Sequence, residues 1–190
     1  MYDAIIDSYC YEGTTVLRNI PNLRDQAALD AFEVAMTTQR SDEPLPEGCL
    51  DVTHYCDIHR HLFQDIYPWA GEVRTVRMSK EKSTFCYPEH IEQEMGTLFG
   101  DLNLQNHLQE LSEDDFVNHA AHFLSTLNAI HPFSEGNGRT QISFLLLLAD
   151  SASHPLDLDK LVPERFLDNM ISSFRGDETQ LKSELKKLLR

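Results

Sequence analysis

Residues 131–139 read HPFSEGNGR, so one short run holds an imidazole, a carboxylate, a carboxamide, a guanidinium and two glycines, and an apolar run follows at once. Pro132 disfavours helical backbone at His131, which places the imidazole where a helix ends. A tight loop then has to turn into the next helix near Arg139. A loop that feeds a helix N-terminus attracts anions through its unpaired N–H groups and the helix dipole. Gly136 and Gly138 let that backbone come close to a phosphate, while Asn137 and Arg139 add side-chain donors. Glu135 would repel a phosphate directly, so its presence makes sense through Mg²⁺, a hard cation that takes carboxylate and phosphate oxygens together. His131, at the edge, is placed to accept a proton from an incoming hydroxyl. The chemistry this points to is nucleophilic attack on a phosphate. Each residue alone also fits a helix–loop–helix junction with a buried histidine; the order of all of them favours the phosphate site.

The chain has 190 residues, 41% hydrophobic and 25% charged, which is ordinary for one globular domain spanning residues 1–190. Its 16 basic and 31 acidic residues, net −15, argue against a nucleic-acid binder, since phosphate backbones are held by clustered Lys and Arg. The start, MYDAIIDSYCYEG, has neither a basic leader nor a long apolar run, so the expectation is a cytoplasmic chain without a membrane span, unless it is exported unprocessed. Cys10, Cys49, Cys56 and Cys86 form no CxxC pair and read as buried reduced thiols. His119 and His122 could share a metal, but no HExxH pattern accompanies them and packing or surface roles fit better.

The elements that must position the loop are helical, and the fold class expected is all-α with one small β-hairpin. Leu29, Phe32, Ala35 and Met36 recur at helical spacing over residues 25–40. A second helix over 51–65 has Val52, Tyr55, Ile58, Leu62 and Phe63 on one side, ending before Pro68 and Gly71. Alternation in EVRTVRM and STFCY, with SKEK as the turn, predicts a hairpin over about 72–87 that must lie on helices. Further helices are expected over 88–103, from the Ser112/Asp115 capping box to Ile130, over 163–174 and over 179–189. QISFLLLLAD is apolar nearly all round, so the helix behind the loop should run through the middle of the domain.

HPFSEGNGR resembles the signature of the Fic family, His-Pro-Phe-x-Asp/Glu-Gly-Asn-Gly-Arg-x-x-Arg, with the signature loop at 131–139. YCYEGTTVLRN, IHRHLFQDIYPWAGEVR and the hairpin after them are similar to the entry segment, second helix and flap of Fic domains. The resemblance implies a protein adenylyltransferase of a bacterial toxin or effector, moving AMP from ATP to a Ser, Thr or Tyr hydroxyl with Mg²⁺. By position it implies His131 as general base, Glu135 as Mg²⁺ ligand, and Phe133, Gly136, Asn137, Gly138 and Arg139 as nucleotide-binding residues. It also implies that Ser79, Lys80, Thr84 and Phe85 form a flap that aligns a protein substrate by strand addition, with Phe85 or a neighbour clamping the modified side chain.

The second signature arginine falls at position 142, where this chain has Ile142, which removes an implied contact to the γ-phosphate. Three alternatives therefore stay open: phosphotransfer as in the related Doc branch, another nucleotide donor, and a weakly active or non-catalytic protein that acts by binding a partner. Gly138 stands where the Doc branch has lysine, which keeps adenylyl transfer nearer. Many family members are inhibited by a glutamate that pairs with the second arginine. A separate small antitoxin supplying that glutamate is one implied partner, and the absence of such control is the alternative, since position 142 lacks the arginine. Residues 8–13, SYCYEG, fit the inhibitory pattern in letters but read better as the entry turn.

Overall fold

The computed structural model describes residues 9–80 and 83–190, apart from the side chains of Lys80 and Ser83. The start of the chain up to Ser8 and the tip of the SKEK turn, Glu81 and Lys82, lie outside the described residues.

Seven α-helices form among them: α1 Gln26–Ser41, α2 Val52–Phe63, α3 Pro88–Leu104, α4 Glu113–Ile130, α5 Asn137–Ser151, α6 Pro163–Phe174 and α7 Thr179–Leu188. Their starts follow from side chains that satisfy orphan N–H groups. Asp25 accepts from Ala28 N–H at 2.9 Å, Asp51 from His54 N–H at 2.8 Å and Ser112 from Asp115 N–H at 3.2 Å. Proline opens α3 and α6, where no N–H is needed. Glu113, Asp114 and Asp115 in the first turn of α4 complement its dipole.

Helix α4 packs against α3, α5, α6 and α7, and α2 packs against α1, α3 and α5. The face predicted for α2 meets the core through Tyr55, Ile58, Leu62 and Phe63, and α4 buries Phe116, Ala120, Phe123, Leu127 and Ile130. No residue of α5 from Arg139 to Ala149 is exposed, so this helix does run through the interior. Phe144 meets Tyr55, Phe99 and Phe123 at ring separations of 5.6, 5.3 and 5.6 Å, within the range of favourable aromatic pairs.

Three expectations change. In α1 the buried residues are Leu29 and Thr37, while Ala35 is exposed, because the helix turns a partly polar stripe, Glu33 and Thr37, toward α5. The hairpin is shorter than 72–87: β1 Ser79–Lys80 pairs antiparallel with β2 Ser83–Thr84, and Phe85 N–H to Met78 C=O at 3.2 Å adds one rung. The alternation before it fails because Arg74, expected on the solvent side, is only 1% exposed. The four cysteines are free, but Cys49 is exposed and the others half-buried. His119 is exposed, and the exposed His122 pairs with Glu178 at 3.0 Å.

Residues 9–17 are an antiparallel turn rather than a helix, with Cys10 bridged to Leu17, which agrees with the entry-turn reading of that segment. No helix among the described residues is long and apolar enough to cross a membrane.

Candidate active site

His131 caps the C-terminus of α4 in the left-handed region, at φ 51 and ψ 63, with its N–H on Leu127 C=O at 3.0 Å. The Phe85 ring lies on the imidazole at 3.9 Å, nearly parallel to it. Phe85 is thus buried against His131. Phe85 lines the cavity described below, while Ser79 and Thr84 sit in the ladder.

The loop beyond His131 closes on itself. Asn137 accepts from Phe133 N–H at 3.0 Å and donates to Phe133 C=O at 2.7 Å. Its carboxamide, expected as a phosphate donor, is therefore spent on the loop's own backbone, and the residue is 3% exposed. The Phe133 ring, expected at the nucleotide, goes instead into the core, stacked on His59 at 3.8 Å and on Tyr55 at 5.5 Å. An apolar ring gains more from that burial than from a polar rim.

His59 holds the far side of the loop. Its Nδ1 accepts from Gly71 N–H at 2.8 Å, so its Nε2 carries the hydrogen and donates to Glu135 C=O at 3.0 Å. Burial pushes this imidazole down to about 4, which keeps it neutral.

The two loop glycines answer different needs. Gly136 has φ +81, and a Cβ there would lie 2.3 Å from the Phe63 ring, so the fold itself demands glycine. A Cβ on Gly138 would meet nothing within 4 Å. The space in front of Gly138 belongs to a cavity of about 340 Å³, within the usual range for small-molecule sites. Its polar wall is His131, Glu135, the loop glycines and Arg139; its apolar wall is Phe166, Leu167, Met170, Ile171 and Phe174 of α6. Polar on one side and apolar on the other, the cavity suits a phosphate chain carrying a flat, weakly polar group. No side chain caps the N-terminus of α5. Gln141 also lines the cavity, and its buried Nε2 has no partner among the described residues.

Charge in the site is arranged around Arg139. Its Nη2 lies 2.5 Å from Glu33 and 3.6 Å from Glu135, its Nη1 lies 3.4 Å from Thr37 Oγ1, and the guanidinium sits 4.7 Å from the centre of the Phe63 ring. Tyr67 donates its hydroxyl to the other oxygen of Glu33. Burial and then Glu33 raise the Glu135 pKa, against the Gly136 N–H and Arg139, which favour the carboxylate. Two carboxylates facing one guanidinium leave this group of three with an excess of negative charge. A divalent cation fits here, because it relieves that repulsion and binds phosphate oxygens too. No three His, Cys, Asp or Glu among the described residues are grouped to hold a metal. Such a cation would be held by Glu135 together with oxygens of the ligand and water.

Ile142 lies half-buried on the cavity wall. Of the nearby cations, Arg165 is turned away into a two-point pair with Glu184 at 2.8 and 2.6 Å, whereas Arg175 lines the cavity. Sequence reading missed Glu33, Tyr67, His59, Arg74 and the α6 wall. Glu33 had a visible signal: it falls on the same face as Leu29 and Met36, where a charge on an apolar stripe has to have a partner.

The Fic/DOC family model matches residues 49–149. The probable protein adenylyltransferase y4lH of Sinorhizobium fredii is 49% identical over 189 residues, covering 99% of this chain and 98% of that one. The protein adenylyltransferase VbhT of Bartonella schoenbuchensis is 32% identical over 191 residues, which are 99% of this chain and 40% of VbhT. Among solved structures, the BepC effector of Bartonella tribocorum with bound AMPPNP superposes with a TM-score of 0.86 at 25% identity over 96% of both chains. Loop, supporting helices and relatives agree: the chain belongs to the Fic/DOC family.

Proposed function

We propose that this protein is a nucleotidyltransferase that moves AMP from ATP to a Ser, Thr or Tyr hydroxyl of another protein. The observation that carries the reading is one cavity walled by His131, Glu135, Arg139 and an open Gly138, with the hairpin joined to His131 through Phe85. Relatives that match nearly the full chain bear the name protein adenylyltransferase, and BepC was solved with an ATP analogue. ATP supplies the electrophilic phosphorus and pyrophosphate as leaving group.

In this reading His131 takes the proton of the target hydroxyl as the new P–O bond forms. Arg139 and the first turn of α5 draw the phosphates in, and Glu135 would hold Mg²⁺, which would supply positive charge to stabilise the transferring phosphate. The apolar wall of α6 excludes water from the base and sugar. The edge of the Ser79–Lys80 and Ser83–Thr84 ladder takes an extended segment of the target by backbone hydrogen bonds, placing its hydroxyl near His131.

One observation favours a narrower set of phosphate contacts than the family signature implies: Ile142 offers no charge to the end of the phosphate chain. An antitoxin glutamate would also find no arginine at 142, and Arg139 is already paired with Glu33. A bacterial toxin or exported effector remains the biological setting proposed, since the matched Bartonella structures are described as translocated effectors.

The test is incubation of the protein with α- or γ-³²P-ATP in a bacterial or host lysate, beside His131→Ala. Label from α-³²P only, lost in the variant, is the expected result; general-base loss is worth about 10²–10⁴ in rate. Label from γ-³²P only would make the protein a phosphotransferase. An unlabelled lysate, with a phenotype that survives His131→Ala, would make it a binding protein.

A further inference from the structure

Arg74 is almost completely buried, and its acceptors are all backbone carbonyls. Nε donates to His131 C=O at 2.8 Å, and Nη2 to Ile130 C=O at 3.2 Å and to Cys86 C=O at 2.7 Å. Nη1 donates to Val76 C=O at 2.6 Å. The Arg74 backbone N–H adds Pro132 C=O at 2.8 Å, and Cys86 N–H takes Ala129 C=O at 3.1 Å. Four successive carbonyls at the exit of α4, from Ala129 to Pro132, are therefore held by the segments that flank the hairpin.

This arrangement does two physical jobs at once. The last carbonyls of a helix carry its negative dipole end and need donors, and a guanidinium answers both needs. His131 has positive φ without being glycine, a conformation that persists only when its surroundings impose it. The same fork also grips the chain on both sides of the hairpin, at Val76 and Cys86. Lysine, with a point charge and no planar fork, cannot span these four acceptors.

We propose that Arg74 is a positioning residue that sets the imidazole of His131 and ties the target-docking hairpin to it, so that hydroxyl and base are held in one frame. The activity consequence rests on the adenylyl-transfer reading above; the structural consequence does not. Arg74 is not among the residues that line the cavity. Its loss should cost transfer, with ground-state nucleotide binding nearly unchanged.

The test compares wild type, Arg74→Lys and Arg74→Ala. Four readouts are followed: thermal unfolding, AMPPNP–Mg²⁺ affinity by calorimetry, imidazole ¹H–¹³C resonances assigned with His131→Ala, and amide exchange at Cys86. For Arg74→Lys we expect a folded protein, AMPPNP affinity within about threefold of wild type, shifted and broadened His131 resonances, and Cys86 exchange at least about tenfold faster. Label transfer from α-³²P-ATP should fall at least about tenfold. Guanidinium at low millimolar concentration should restore part of the wild-type resonances and transfer to Arg74→Ala, and should restore its fold if that variant is unfolded alone.

The proposal is overturned if Arg74→Lys leaves the His131 resonances and transfer unchanged. It is also overturned if nucleotide binding and transfer fall by the same factor, or if guanidinium restores nothing. If wild type labels no protein, the transferase reading fails by itself, and the imidazole and exchange measurements still decide the case of Arg74.

Discussion

Glu33 on α1 and Arg139 on α5, 106 residues apart in the chain, meet at 2.5 Å, and of the two it is Arg139 that lines the cavity. The cation proposed above to draw in the phosphates is therefore already engaged, and Tyr67 hydrogen-bonds the carboxylate that engages it. Removing the charge of Glu33 should release Arg139 and relieve one cause of the raised Glu135 pKa. For Glu33→Gln we expect ATP to bind about 5- to 10-fold tighter, roughly 1–1.4 kcal/mol, with a weaker requirement for Mg²⁺. Calorimetry at several Mg²⁺ concentrations measures this. Weaker binding would mean that Glu33 serves to orient Arg139, and that its neutralising effect is secondary.

Glu135 stands on the polar wall of the cavity with a carboxyl pKa raised first by burial and then by Glu33. The proposed role of this carboxylate is to hold Mg²⁺. Glu135→Ala should bind ATP equally with and without Mg²⁺, whereas wild type should bind better with the metal. Equal metal dependence in the two proteins would remove the ligand role.

Ile142 lies on the cavity wall, three residues past Arg139 on the same helix. An arginine there would add a charge-assisted contact of about 1.5–3 kcal/mol. Ile142→Arg should tighten ATP binding at least about tenfold and leave ADP binding nearly unchanged, since the contact is to the terminal phosphate. If ATP gains nothing, Arg175 on the cavity lining already supplies the charge, and Arg175→Ala should then weaken ATP more than ADP.

His59 links the loop to stability through pH. Its pKa falls from 6.5 to about 4 on folding because burial disfavours the imidazolium. The folded state therefore binds its proton less readily than the unfolded chain does. Stability is fully present above about pH 7 and declines as pH falls from 6.5 toward 4. Between pH 7 and pH 5 this single group should cost about 2 kcal/mol. Urea unfolding at the two pH values should show a difference smaller by about that amount in His59→Gln than in wild type. An identical difference in both would mean that other groups carry the pH dependence.

How far the chain announced this arrangement depends on the range of the interaction concerned. Local rules placed the helices: caps at Asp25, Asp51 and Ser112, prolines at 88 and 163, and 3.6-residue periodicity lie within one or two turns of the residues they govern. The contiguous run from His131 to Arg139 was legible for the same reason, since a loop and the helix after it form one local unit. Residues brought together by folding were not legible. Arg74 fell in an alternating strand pattern, Glu33 drew no reading, Asn137 read as a phosphate donor, and Phe133 was implied as a nucleotide contact.

In each of these cases the decisive partner lies elsewhere in the fold or in the folded loop itself. Carbonyls at the end of α4 draw Arg74 inward, Arg139 draws Glu33, the backbone of Phe133 captures Asn137, and His59 with Tyr55 takes the Phe133 ring. A buried polar group has to be paired and a large ring gains by burial, but sequence does not say which distant group will do the pairing. By itself the sequence determined an all-helical domain with a phosphate-type loop ahead of a buried helix. Tertiary structure decided which of the loop's side chains face the cavity, because packing assigned each of the others a partner first.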